Sequence, residues 1–257
     1  MVVMVLPKFA LDAQILENKS ICQDIWQMTV ACPEIARQAQ PGMFVHIGIP
    51  RGELLLRRPI SMADVDAAAG TLLFIYRRVG KGTHCLSELA VGDSINCLGP
   101  LGHGFDLTAK QPLLVGGGMG IAPLLFLAKK MKGGADILMG GRNEQEMFWP
   151  SFYREYVRNI FITTDDGSLG SRGVTSDLLP QLLISNAYDR IVVCGPEVMM
   201  RSIAHLAQQY GIPCQLSLEK RMACGLGACL SCSCDTNSGQ RKKVCKDGPV
   251  FWAQEVL

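Results

Sequence analysis

Cys224, Cys229, Cys232 and Cys245 stand in the run C-G-L-G-A-C-L-S-C and, after a gap of twelve residues, in K-V-C-K-D. The spacing C-x4-C-x2-C with a distant fourth Cys is the plant-type pattern by which four thiolates hold a [2Fe–2S] cluster. A loop that wraps an inorganic core must bring its backbone close. Gly225, Gly227 and Ala228 leave room for that, with peptide N–H groups free to point at the cluster sulfides. The fourth ligand arrives by another route. C-S-C-D-T and R-K-K-V-C read as short strands around Asn237-Ser238-Gly239, a hairpin that swings Cys245 back. A structural zinc site is the alternative, but zinc knuckles usually show two C-x2-C pairs and this chain has one. Cys234 would share a strand face with Cys232 and could compete as a ligand. Cys232 completes the spacing, so Cys234 is the spare.

Two further pairs of segments suit phosphates. Arg58-Pro59-Ile60-Ser61 ends one strand, and Gly80-Lys81-Gly82-Thr83 opens a helix. An arginine, two glycines exposing N–H groups and a helix start make an anion site suited to a flavin dinucleotide. It is not a Walker A loop, because Gly rather than Ser or Thr follows Lys81; alone, G-K-G-T reads equally as a turn with Thr83 as helix N-cap. Gly116, Gly117, Gly118 and Gly120 lie between a strand and a helix without matching G-x-G-x-x-G in any frame. They still permit close backbone approach at a strand's carboxyl end, with Ala122 and Pro123 opening the helix. Cys194-Gly195-Pro196 repeats the arrangement at a later strand, and two such turns at neighbouring strand ends favour a nicotinamide site. No catalytic triad or carboxylate dyad emerges. His46, His84, His103 and His205 are dispersed and read as core or surface residues.

The elements that must position these residues change character along the chain. Up to about residue 105, short runs such as D-I-W-Q-M-T-V-A, M-F-V-H-I-G-I, T-L-L-F-I-Y-R-R-V and S-I-N-C-L alternate with turn signals at Pro41-Gly42, Pro50-Arg51-Gly52 and Val91-Gly92-Asp93. Many short strands and one brief helix, near Thr83 to Ala90, predict an antiparallel β-barrel over residues 1–107. Beyond Gly104-Phe105-Asp106, strands P-L-L-V-G-G-G, A-D-I-L-M-G-G, N-I-F-I-T-T and R-I-V-V-C-G alternate with helical stretches, among them N-E-Q-E-M-F-W and T-S-D-L-L-P-Q-L-L. That alternation predicts a parallel-sheet α/β domain over 108–214 with a nucleotide at its strand ends. Residues 215–257 form a small C-terminal cluster domain.

Composition bounds the function. A net charge of +2 in 257 residues, with basic residues spread out, excludes a nucleic-acid footprint. Arg241-Lys242-Lys243 reads as a solvated hairpin tip, with docking of a partner as the lesser alternative. Eleven cysteines in a chain this rich in core residues are not a disulfide scaffold; Cys22, Cys32, Cys85, Cys97, Cys194 and Cys214 read as buried free thiols of a reducing compartment. The start M-V-V-M-V-L-P-K lacks a signal-peptide pattern, and the apolar run 113–128 is cut by glycines and Pro123, so no membrane span is expected and the protein reads as cytoplasmic.

R-R-P-I-S, G-K-G-T, V-G-G-G-x-G-x-A-P-L, T-D-D-G-S-x-G and C-G-P-E, in this order, resemble the ferredoxin–NADP reductase superfamily. The C-terminal cysteine pattern followed by D-G-P-V-F narrows the resemblance, over essentially the full length, to the electron-transfer subunit of type B dihydroorotate dehydrogenase. The resemblance implies that Arg58, Pro59 and Ser61, with Ile75, Tyr76, Arg77, Gly82 and Thr83, hold FAD. Ile60 stands where the wider superfamily commonly places an aromatic against the flavin. It further implies NAD as exchangeable co-substrate, and an FMN-containing catalytic subunit joined in a heterotetramer for pyrimidine biosynthesis. Hydride exchange is then the cofactors' own chemistry, and FAD converts electron pairs to single electrons for the cluster. In Gly140-Gly141-Arg142-Asn143-Glu144, Arg142 could grip a 2′-phosphate while Glu144 repels it; the resemblance tips the choice to NAD. The D-G-P-V-F tail and the cluster loop are expected to face the partner. Rival readings are a related reductase subunit of a hydrogenase, sulfide dehydrogenase or NADPH–ferredoxin transhydrogenase, and a zinc-bearing redox-sensing interaction module.

Overall fold

A computed structural model describes residues 7–50 and 54–257. The Arg51-Gly52 part of the expected turn and the first six residues lie outside the described residues. The N-terminal portion is a closed antiparallel barrel of six strands, β1 (Phe9–Cys22), β2 (Ile25–Ala31), β3 (Phe44–Gly48), β4 (Arg58–Asp66), β5 (Thr71–Arg77) and β6 (Ser94–Leu101), in the order β1-β2-β5-β4-β3-β6. Alternation explains it: Ile15, Met28, Val45, Met62, Phe74 and Ile95 point inward and are almost fully buried. Two short helices decorate the barrel, α1 (Pro33–Ala36) and α2 (Lys81–Ser87). Asn18 fixes α2 to β1 by donating to the Leu86 and Leu89 carbonyls at 2.9 and 2.8 Å.

The second portion is a sheet of seven strands in the order β10-β9-β8-β7-β11-β12-β15. β7 (Pro112–Gly117), β8 (Asp136–Gly141), β9 (Ile160–Thr164) and β11 (Arg190–Cys194) are parallel, as predicted, and two strands that were not expected, β10 (Ser171–Arg172) and β12 (Cys214–Ser217), extend the parallel sheet. They are near-continuous apolar runs because helices cover both faces: α3 (Ala122–Met131), α5 (Thr175–Ser185) and α6 (Glu197–Gln209). The helix expected over N-E-Q-E-M-F-W is reduced to one tight turn, Glu144–Glu146, followed by α4 (Pro150–Tyr153). Pro150 sets the start of that helix, since a proline is tolerated only in a helix's first turn. Strand order reverses between β7 and β11, so both glycine-rich turns flank the crevice where open α/β sheets bind ligands.

The cluster portion adds a hairpin, β13 (Ser233–Asp235) with β14 (Arg241–Lys243), then α7 (Val244–Asp247), β15 (Val250–Trp252) and α8 (Ala253–Val256). β15 pairs antiparallel with β12 and so closes one edge of the large sheet. This overturns the expectation that D-G-P-V-F faces a partner: Val250 is 7% and Phe251 2% exposed, because the tail completes the sheet. The barrel and the α/β portion share one core, in which Ile25, Ala63, Ile75 and Phe105 pack with Leu124, Leu125 and Trp149. An ion pair from Lys129 on α3 to Asp64 on β4 reinforces that joint. No helix among the described residues is long and apolar enough to cross a membrane.

Candidate redox site

Four cysteines come together at the end of the barrel. Cys224 and Cys229 form one thiol pair and Cys232 and Cys245 another, with Cys224 close enough to act on Cys245. Among the described residues no three His, Cys, Asp or Glu side chains are arranged to hold a metal ion. Two pairs side by side suit a binuclear core, in which each iron takes two thiolates. The loop chemistry fits such a core. The Leu226 N–H points at Cys224 Sγ at 3.3 Å, and burial of Cys224 is outweighed by N–H donors of Cys229, Leu226 and Ala228, which lower its thiol. The hydroxyl and N–H of Ser231 bring Cys229 down to about 6, whereas burial and the neighbouring Cys232 raise Cys245 to about 12. Charge from a dinuclear iron core would draw the Cys245 thiol into the thiolate form.

The glycines do what the loop demands, against particular neighbours. Gly225 has φ +71° and a methyl group there would lie 2.6 Å from His46 Nδ1; Gly227 has φ +83° and would meet Lys246 at 2.8 Å. The hairpin delivers Cys245 as expected, though on the first turn of α7 rather than on a strand. Cys232 is buried while Cys234 is half-buried and packs into the same small core, with its thiol raised chiefly by burial. Of the six cysteines outside the cluster run, Cys32, Cys97, Cys194 and Cys214 are buried, but Cys22 and Cys85 are only half-buried; no cysteine is in a disulfide.

The flavin candidates converge from two strands and α2. Gly82 is pressed so closely under Arg58 that a methyl group there would lie 2.1 Å from Arg58 Nε. Gly80, not Thr83, occupies the cap position; the Thr83 hydroxyl reaches back to accept from the N–H groups of Val79 (2.9 Å) and Gly80 (3.2 Å). The arginine and the glycine turn thus lie against one another, as a diphosphate cradle would require. Pro59 is exposed, Ser61 half-buried and Ile60 buried, so alternate residues of β4 face outward. On β5, Ile75 packs toward the α/β portion, whereas Tyr76 turns into the barrel, where its hydroxyl bonds Asn18 at 3.2 Å. Tyr76 can therefore serve a flavin only through its backbone. Arg77 Nε is buried without a hydrogen-bond partner among the described residues, and its guanidinium approaches Glu146 at 3.7 Å.

Between Arg77 and Val79 on the barrel and the carboxyl ends of the parallel strands lies a cleft of about 1200 Å³. Gly117, Gly118, Gly120, Gly195 and Pro196 line it, so both predicted turns meet there; Gly116 lies just behind, against Ile121. They are interlocked: a methyl group on Gly120 would lie 2.4 Å from the Cys194 carbonyl oxygen. Cys194 itself is buried, and burial together with the charge of Glu219 raises its thiol to about 12, so it stays neutral. Glu219, raised by desolvation, is at the cleft wall. Arg142 is held by Glu146, which accepts from its Nε at 2.9 Å and from its backbone N–H at 3.2 Å. Glu144 instead donates its N–H to Ser168 at 2.8 Å, so the carboxylate that engages Arg142 is Glu146. The cluster hairpin also reaches the cleft, with Cys234, Asp235 and Asn237 along its wall.

Sequence reasoning missed His46 and Glu146. A lone imidazole in the apolar strand M-F-V-H-I-G-I was the available signal for the first. His46 is fully buried beside the cluster loop, and burial, then the charge of Arg57, bring it down to about 4.

Comparison with known proteins supplies a second line of argument. The iron–sulfur cluster binding domain of dihydroorotate dehydrogenase B matches residues 219–257. The chain is similar to the dihydroorotate dehydrogenase B (NAD(+)) electron transfer subunit of Caldanaerobacter subterraneus subsp. tengcongensis, 36% identical over 97% of this chain and 99% of the relative. It is likewise 38% identical to that of Geobacillus thermodenitrificans, over 95% and 96%. Among solved structures, one of an NADH-dependent reduced ferredoxin–NADP oxidoreductase superposes with a TM-score of 0.87 at 31% identity, covering 100% of this chain and 91% of that one. A ferredoxin NADP+ reductase from Neisseria gonorrhoeae with bound FAD and NADP shares the fold at a TM-score of 0.65 and 19% identity, covering 79% and 92%.

Proposed function

Because the chain belongs to the electron transfer subunits of dihydroorotate dehydrogenase B, we propose that it carries electrons between the FMN of a separate catalytic subunit and NAD, as one half of a heterotetramer. Its role as the electron transfer subunit of an oxidoreductase using FAD, a [2Fe–2S] cluster and NAD follows from the family. The residue assignments are our reading. Cys224, Cys229, Cys232 and Cys245 hold the cluster; Arg58, Pro59, Ile60, Ser61, Ile75, Tyr76, Arg77, Gly82 and Thr83 hold FAD. Gly116, Gly117, Gly118, Gly120, Cys194, Gly195 and Pro196 receive the nicotinamide dinucleotide. Residues 1–107, 108–214 and 215–257 divide the three tasks, the last two sharing one sheet through β12 and β15.

When bound, these groups supply hydride exchange between nicotinamide and flavin and single-electron transfer through iron. The chain's own contribution is placement. Arg58 and the N–H groups of the glycine turn neutralise a diphosphate. Gly117 and Gly118 let a second diphosphate approach the end of β7. Cys194 remains a neutral thiol and so stays out of nucleophilic chemistry. Loop N–H groups offset thiolate charge at Cys224.

The observation that carries the reading is the convergence of four thiols in two pairs beside the flavin cradle. The likeness to the ferredoxin–NADP oxidoreductase is one of shared architecture; the curated relatives favour the dihydroorotate partner. A visible spectrum of the purified chain tests it. Flavin and iron–sulfur bands are expected, and a colourless, zinc-loaded protein would overturn the reading. Co-expression with an FMN-type dihydroorotate dehydrogenase should then give a stable complex that reduces NAD with dihydroorotate.

A further inference from the structure

His46 has no exposed surface, and neither ring nitrogen has a hydrogen-bond partner of good geometry among the described residues. Buried polar side chains in folded proteins are nearly always bonded, so such a ring calls for a reason. Two backbones face it, those of Arg57 and Cys224. The first leads directly into Arg58 and the flavin cradle. The second carries the first thiol of the cluster loop.

The ring cannot drift. Its strand, β3, pairs with both neighbours, placing His46 opposite Pro59 on β4 and Leu98 on β6. The His46 carbonyl accepts from Arg57 Nη1 at 3.1 Å, and the same nitrogen donates to the Asn96 carbonyl at 3.1 Å. On the other side the loop comes so close that only glycine fits at 225, for both φ and space. A fixed imidazole therefore stands between the flavin segment and the cluster loop. A phenyl ring would fill the same space without needing partners. A neutral imidazole can instead donate its one N–H to a backbone carbonyl that faces it.

Resting on the assignment of Cys224 to the cluster and of β4 to the flavin, we propose that His46 is a positioning residue for electron transfer. Its ring, wedged against the Gly225 turn of the cluster loop, offers one N–H to the facing backbone and sets how far the cluster stands from the flavin. Small displacements matter here, because transfer between two held groups depends steeply on their separation and orientation.

The test uses the FAD- and cluster-loaded chain and two variants. His46→Phe keeps the ring and removes both nitrogens; His46→Gln keeps a donor and an acceptor. After mixing with NADH, the rates of flavin reduction and of cluster reduction are read separately by stopped flow. The electron paramagnetic resonance signal and midpoint potential of the reduced cluster are measured alongside. In His46→Phe the ratio of cluster rate to flavin rate should fall at least tenfold and the resonance signal should shift; His46→Gln should recover the ratio to within threefold. Loss of iron from His46→Phe but not from His46→Gln also supports the role, since a polar contact then anchors the loop. An unchanged ratio and signal in His46→Phe, or iron loss from both variants alike, overturns it, whatever happens to thermal stability. A wild-type chain without a [2Fe–2S] signal would instead refute the cluster assignment itself, so the two failures are distinguishable.

Discussion

A cysteine beside Ser231 with its thiol near 6 and one sunk against Cys232 near 12 are different ligands before any iron arrives. Both are needed to complete the two pairs. Cys224→Ser, Cys229→Ser, Cys232→Ser and Cys245→Ser should each lose iron, while Cys234→Ser keeps it, as iron analysis of the purified variants will show. Retention in Cys232→Ser with loss in Cys234→Ser would reverse the assignment. Arg58 makes a parallel case for FAD. It is stacked on Gly82, and a charge-assisted contact to a diphosphate is worth about 1.5–3 kcal/mol. Arg58→Ala should therefore bind FAD roughly tenfold to a hundredfold more weakly in equilibrium dialysis; unchanged occupancy would count against the cradle. In the cleft proposed for the dinucleotide, Glu146 occupies Arg142 by hydrogen bond and charge, which also holds its own carboxyl below the usual range. Glu146→Gln should free that guanidinium and raise kcat/KM for NADPH relative to NADH. Equal use of both nucleotides by the unaltered chain would contradict the preference for NAD.

At the scale of elements, the cluster hairpin is stapled to the C-terminus. Lys242 pairs with Glu255 at 2.7 Å, and the Asn237 N–H donates to the Glu255 carbonyl at 2.9 Å. The Lys242 contact lowers the Glu255 carboxyl from its ordinary 4.5. A depressed folded value means the contribution is complete above that ordinary value and fades as pH falls through the lower folded one. Hydrogen exchange over residues 233–243 should thus quicken, beyond its intrinsic rate, only in acid. In Glu255→Gln it should be quick at neutral pH too, and equal protection in the two proteins would exclude the staple. These elements also show what the letters could carry. Alternation sufficed for the barrel and the parallel sheet, because period-two burial and βα repetition are local signals. The fate of V-F-W was not legible. An apolar strand looks the same whether it covers a partner or its own sheet edge, and only the tertiary pairing with β12 decides. Tyr76 and His46 failed in the same way: their chemistry was visible, but the neighbours that give it a role lie 58 and about 180 residues away in sequence.

On the proposed assignment the whole molecule works as a relay. The cleft opens between the barrel and the strand ends, the cluster hairpin reaches its wall, and the cluster loop meets the surface with Leu226 45% and Leu230 62% exposed. Leu55 and Leu56, also exposed, lead into Arg57 beside the same buried histidine. Apolar side chains exposed around a redox centre are what a docking face requires, whereas Arg241 is taken up by Asp235 and Lys242 by Glu255. On that assignment electrons enter at the loop and leave at the cleft, or the reverse. Removing hydrogen from a carbon pair needs a positioned base beside a substrate pocket. The cleft's carboxylates, among them Glu146, Asp165, Glu197 and Glu219, line the space that our assignment commits to the nicotinamide dinucleotide. The isolated chain should therefore reduce artificial dyes with NADH and form no orotate from dihydroorotate. Adding the FMN-containing subunit should restore NAD-linked orotate formation, and Leu230→Glu should weaken that restoration while leaving dye reduction in place. Orotate produced by the partner-free chain would show that the oxidising site is on this subunit, and the relay reading would fall with it.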